Sequence, residues 1–183
     1  MLSRTSQRYG RVAMILHWLI ALLIALNFAA VWVSETMPRA ERMQIMNNHK
    51  AIGLTVLILS LARLAWRLTH RYPAPLPSLR GWEKALARLV HTLFYVLMIG
   101  MPLTGWAMVS GGGPVSVFGV FSAPPLPVPT DRGSAGTFHA IHGNLGTALL
   151  VLFGLHVLGA LKHQFLDRDG ALGRMVPFLR APR

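Results

Sequence analysis

Long apolar runs alternate with short polar or helix-breaking stretches along the chain. Four runs reach the length that crosses a bilayer as a helix, about 20 mostly apolar residues. They cover roughly 12–33, 49–67, 89–109 and 139–162. The connections differ in kind. Residues 34–48 form a short link whose later part, 40–48, can already be helical. The next link contains Arg71-Tyr72-Pro73-Ala74-Pro75-Leu76-Pro77, which is incompatible with helix interior. The third, 110–137, places Val117, Phe118 and Phe121 between Gly111-Gly112-Gly113-Pro114 and Pro124-Pro125-Leu126-Pro127-Val128-Pro129. An apolar segment so rich in helix breakers is expected to lie along a membrane surface. The pattern predicts an all-α membrane protein, a four-transmembrane-helix bundle forming a single domain over 1–183.

Composition narrows the chemistry. The chain is 53% hydrophobic and 13% charged, with mean hydropathy +0.47, whereas soluble domains carry about 25% charged residues. A soluble globule and a disordered chain are excluded. Cysteine is absent. That removes disulfides, thiolate zinc sites, Cys-ligated iron–sulfur clusters and covalent c-type haem. A tightly held metal or haem must therefore rely on the eight histidines, with nine methionines a distant second. Met37, Met43 and Met46 read as packing rather than as a copper site.

The net charge of +12 is distributed as membrane topology requires, not as a nucleic-acid footprint. Arg4, Arg8 and Arg11 precede the first run; Arg67, Arg71, Arg80, Lys84 and Arg88 lie around the second connection; Lys162, Arg168, Arg174, Arg180 and Arg183 follow the fourth run. The opposite side holds only Arg39, Arg42, Lys50 and Arg132. The positive-inside rule places both termini in the cytoplasm. The first run is longer than the apolar core of a secretion signal and is expected to be a retained helix.

Ionisable residues within the runs carry the functional signal, because they are costly in hydrocarbon. His142 and His156 are 14 residues apart. That separation places them about 40° apart around one helix and about 21 Å apart along it. His139 is the rival for the outer position, although it lies about 100° from His156. His17 follows Arg11 by six residues, and His156 precedes Lys162 by six, so antiparallel helices bring them to equal depth. His49 is level with His142 at the outer side. Two pairs of imidazoles, His17/His156 and His49/His142, are what a transmembrane dihaem electron conduit requires. Arg63, in a span without Asp or Glu, needs an anion. Haem propionates would supply it, with Arg67 a second candidate.

Ile15-Leu16-His17-Trp18, then Asn48-His49-Lys50 and Arg63-Leu64-Ala65-Trp66-Arg67, then Leu155-His156 and Leu161-Lys162-His163-Gln164-Phe165 resemble the bacterial cytochrome b561 family in order and spacing, from about residue 8 to 178. The resemblance implies two non-covalent b-type haems, ligated by His17, His49, His142 and His156. The start of the fourth run, Phe138-His139-Ala140-Ile141-His142-Gly143, departs from the family's frequent His-Glu and leaves His139 and His142 both open.

The resemblance further implies electron exchange between a surface donor or acceptor and the quinone pool of the bacterial inner membrane. A subset of similar short proteins oxidises superoxide and reduces ubiquinone. Arg39, Arg42, Lys50 and Arg132 are placed to steer a small anion. Candidate quinone-site residues are His91, Tyr95 and His163, each able to supply a hydrogen bond or proton. Two alternatives belong to other classes. One is a haem-bearing anchor for a hydrogenase or dehydrogenase subunit; the other is a haem-free transporter or assembly factor.

Overall fold

A computed structural model describes residues 8–179 of the chain. Arg4, Arg180 and Arg183, which entered the charge argument, lie outside the described residues. Four helices run antiparallel in sequence: α1 (Arg11–Glu35), α2 (Arg39–Thr69), α3 (Gly81–Val109) and α4 (Arg132–Lys162). All four are long and apolar enough to cross a membrane.

Each helix extends beyond its apolar run, because the flanking polar residues are good helix formers and supply start signals. α2 begins at Arg39, directly after Pro38, and Glu41 sits in its first turn, where negative charge suits the helix dipole. At α3 the Glu83 carboxylate accepts the Arg80 backbone N–H at 2.8 Å. At α4 the Asp131 carboxylate accepts Ser134 N–H at 3.0 Å, and the Ser134 hydroxyl and amide together hold the Asp131 carboxyl below its ordinary pKa. Pro102 lies inside α3.

The third connection contains an element that the apolar pattern did not reveal. After a short 3₁₀ turn (Ser110–Gly112), β1 (Val115–Val117) pairs antiparallel with β2 (Phe121–Ala123), with Val117 opposite Phe121. Phe118 and Gly119 take positive φ values of 51° and 72° at the tip. Val115, Val117 and Ala123 pack on Ala51, Leu54 and Leu57 of α2. The hairpin thus closes one end of the bundle.

The main core lies between the ends. Ile20 and Ile24 of α1, Val56 of α2, Leu97 and Met98 of α3, and Leu149 and Leu152 of α4 form one cluster. Leu22, Leu26, Trp32, Val151, Leu155 and Leu158 are exposed, as lipid-facing residues of a membrane bundle should be. At the other end, the chain's two described ends are tied together. Arg8 donates to the Pro177 carbonyl at 2.7 Å, and Trp18 Nε1 donates to the Met175 carbonyl at 2.9 Å. Arg174, only 6% exposed, donates to the Ala74 carbonyl at 2.7 Å. The hairpin end is the distal end of the bundle, and the end holding Arg8 and Arg174 the proximal one.

Candidate haem centres

Two groups of imidazoles occupy two depths. In the distal layer, His49 of α2 faces His142 of α4 with ring centroids 6.1 Å apart. In the proximal layer, His17 of α1 faces His156 of α4, also with centroids 6.1 Å apart. Two imidazole–metal bonds of about 2 Å, with about 1.1 Å from each nitrogen to its ring centre, span about 6 Å. Both pairs therefore fit an iron held between them. α4 supplies one histidine to each layer, about 21 Å apart along an unbroken helix.

The distal pair is built by backbone as much as by side chains. His142 Nδ1 donates to the Met101 carbonyl of α3 at 2.9 Å, which leaves Nε2 with a free lone pair. α3 reaches the ring this closely because residue 105 is glycine. A Cβ there would lie 2.8 Å from His142 Cε1 and 2.9 Å from Nδ1. His139 points elsewhere: it is exposed, with Nδ1 3.3 Å from Met108 Sδ. Of the two open alternatives, His142 is the one that faces His49. A cavity of about 410 Å³ opens at this end, lined by Lys50, Gly111–Gly113, Thr130 and neighbouring residues.

The proximal layer contains more than its predicted pair. His91 of α3 also lies 6.1 Å, centroid to centroid, from His156, and its Nδ1 donates to the Ala87 carbonyl at 2.6 Å. Of the three quinone candidates, His91 thus sits within the imidazole group. Phe94 packs edge-on against His156 at 5.2 Å. Arg63 Nη1 donates to His17 Nδ1 at 3.0 Å. A guanidinium only donates, so this contact holds the His17 proton on Nε2. Iron ligation through Nε2 requires Arg63 to leave the ring, and a propionate is a suitable new partner.

Arg67 lies 4.8 Å from the centre of the Tyr72 ring and 5.8 Å from that of Tyr95. Burial and the surrounding tyrosines push the Tyr72 hydroxyl above its ordinary pKa, with Arg67 opposing. His163 lies further along, in a π-helical turn after α4 (His163–Asp167). Its Nδ1 is 2.8 Å from Asp169 and 3.1 Å from Asp167. Sequence reasoning missed Gly105, the Met101 carbonyl and the third proximal imidazole. The i, i+4 spacing of His91 and Tyr95 was visible, but their relation to His156 depends on how α3 packs against α4.

A family model described as prokaryotic cytochrome b561 matches residues 8–178. Cytochrome b561 homolog 2 of Escherichia coli (strain K12) is 32% identical over 95% of this chain and 94% of its own. Cytochrome b561 homolog 1 of the same organism is 27% identical over 93% and 97%. A probable superoxide oxidase, CybB, of Yersinia pestis is 28% identical over 93% and 97%.

Proposed function

The chain belongs to the prokaryotic cytochrome b561 family, haem-b-binding electron carriers of the bacterial inner membrane, and on that premise we propose that it holds two haems and passes single electrons from superoxide, or another small outer donor, to ubiquinone. The observation that carries this reading is the repeat of one geometry at two depths, with imidazole centroids 6.1 Å apart in both layers. The ligands are His49 and His142 in the distal layer and His17 and His156 in the proximal one. When bound, each haem supplies reversible one-electron exchange.

The chain's own groups do the rest. In this reading the distal layer faces the periplasm and both termini the cytoplasm, an orientation that the distribution of basic residues supports. Lys50, on the wall of the distal cavity, attracts an anionic donor toward the His49/His142 centre. The core between the layers excludes water. Arg63 and Arg67 offset propionate charge that would otherwise be buried unpaired. Reduction of a quinone to the quinol takes two electrons and two protons. Two superoxide ions supply the electrons and leave as dioxygen, while Tyr95 and His163, near the proximal surface, deliver protons from the cytoplasmic side. The relative described as a probable superoxide oxidase supports the choice of donor.

The test begins with a reduced-minus-oxidised spectrum and a pyridine haemochrome count on the purified protein. Two low-spin b haems per chain, followed by superoxide-dependent ubiquinone reduction, is the expected result. Two haems with turnover only in the presence of a copurifying catalytic subunit would replace the stand-alone oxidoreductase by a membrane anchor.

A further inference from the structure

Two buried polar atoms without a hydrogen-bond partner belong to residues that meet in the distal layer: Nδ1 of His49 and Oδ1 of Asn27. Asn27 is on α1, and its backbone carbonyl lies near the His49 ring but does not meet hydrogen-bond geometry with it. Its amide nitrogen is turned toward α2, 4.0 Å from where a side chain on Gly53 would begin, one helical turn beyond His49. Both stranded atoms cost free energy where they are, and an asparagine within an apolar span costs more in lipid than any apolar replacement. Their chemistry is complementary. An imidazole that binds iron through Nε2 carries its proton on Nδ1 and is a donor there, and an amide oxygen is an acceptor only.

We propose that Asn27 is a positioning residue for the distal centre, its Oδ1 accepting the Nδ1–H of His49. The distal pair then becomes symmetrical, because His142 already donates its own Nδ1–H to the Met101 carbonyl. The Asn27 backbone carbonyl competes for the same proton, but as part of α1 it also serves the helix ladder. An accepted hydrogen bond makes the imidazole a stronger donor to iron, which favours the oxidised form and lowers the midpoint potential. It also fixes the ring plane, and with it the orientation of the haem. This inference rests on the reading of His49 as an iron ligand.

The test is an optical and EPR redox titration of the full-length, haem-loaded protein in detergent, comparing the parent chain with Asn27→Leu, Asn27→Asp and His49→Leu. Asn27→Leu is expected to raise one midpoint potential and leave the other in place. The affected haem should also be lost roughly tenfold to a hundredfold more readily. Asn27→Asp keeps an acceptor at the same point and should return that potential to the parent value or below it. Unchanged potentials in Asn27→Leu would overturn the proposal in favour of the backbone carbonyl. A joint shift of both potentials, or no rescue by Asn27→Asp, would overturn it in favour of packing. Two low-spin haems in His49→Leu would instead overturn the ligand assignment on which it rests.

Discussion

The distal and proximal layers share one spacing between facing imidazoles but differ in almost everything around them. The distal pair is held by neutral groups: a backbone carbonyl from α3, the close approach allowed by Gly105, and an apolar hairpin on α2. The proximal layer has three imidazoles, the half-buried Arg63 and Arg67, and Tyr72 and Tyr95 beside Arg67, under a C-terminal segment tied down by Arg8, Trp18 and Arg174. A neutral surround fixes geometry and leaves the charge of a bound centre uncompensated. A cationic surround accommodates anionic propionates and favours the reduced state. On the proposed two-haem reading, similar ligands in unlike surroundings would give one bundle two potentials.

α4 serves both layers, so substitutions of its two histidines should change the bundle most. His142→Ala and His156→Ala are each expected to reduce haem from two per chain to one, and the haem that remains should differ in potential between the variants. Pyridine haemochrome gives the count and a redox titration the identity. Loss of both haems from either variant would mean that the layers are not independent.

A sharper cut separates His17 from His91, because both rings lie 6.1 Å from His156. His17→Ala is expected to abolish the proximal low-spin signal in EPR, whereas His91→Ala should retain it with a shifted potential. The reverse outcome moves the ligand from α1 to α3. In the structure the two rings differ in tautomer, since Arg63 donates to Nδ1 of His17 while His91 donates from Nδ1 to Ala87. The assignment to His17 therefore implies that Arg63 moves on haem binding. Arg63→Leu should lower the proximal potential, as removal of a nearby cation disfavours the reduced state, by about 59 mV for each tenfold change in a one-electron equilibrium.

The two layers were also unequally legible in the sequence. Four helices, the shared face of His142 and His156, and the equal depth of His17 and His156 followed from period and distance to flanking basic residues, because each is a property of one helix or of its ends. The angle around the helix favoured His142 while the departure at the start of the fourth run kept His139 open, and the structure turns His139 toward Met108. What the sequence hid depends on contacts between helices. His91 reads as a quinone-site candidate, and only the packing of α3 on α4 brings it to His156. Gly105 reads as a helix weakness until His142 fills the space above it. The β1–β2 hairpin was hidden for another reason: its strands are only three residues each, too short for alternation to show, and they lie among prolines and glycines.

Gly105 offers a milder perturbation of the distal layer. In Gly105→Ala the new methyl group would sit 2.8 Å from His142 Cε1, so the ring must move and its bond to Met101 must lengthen. Overpacking of this kind costs about 1–3 kcal/mol, which should appear as weakening of distal haem retention by between about fivefold and 150-fold, with proximal haem unchanged. Haem transfer to apomyoglobin, followed by absorbance, would measure it. Equal loss from both layers would show that α3 packing, rather than the His142 ring, bears the strain.

The smallest expected effect lies at the distal mouth. Lys50 follows His49 and lines the cavity there, so Lys50→Glu reverses a charge beside the centre without touching a proposed ligand. Attraction of an anionic donor by a surface cation is a rate effect that salt screens, with a Debye length of about 8 Å at physiological ionic strength. The variant should therefore reduce haem more slowly with superoxide at low salt, by a few fold, and approach the parent rate as salt rises. The proximal midpoint potential should stay near that of the parent, and the distal one should fall less than the proximal potential falls in Arg63→Leu, because solvent at the mouth screens the Lys50 charge. A neutral donor should show little change. If the neutral donor slows equally, Lys50 shapes the mouth rather than charging it, and the asymmetry between a steering distal surface and a charge-compensating proximal one would be lost.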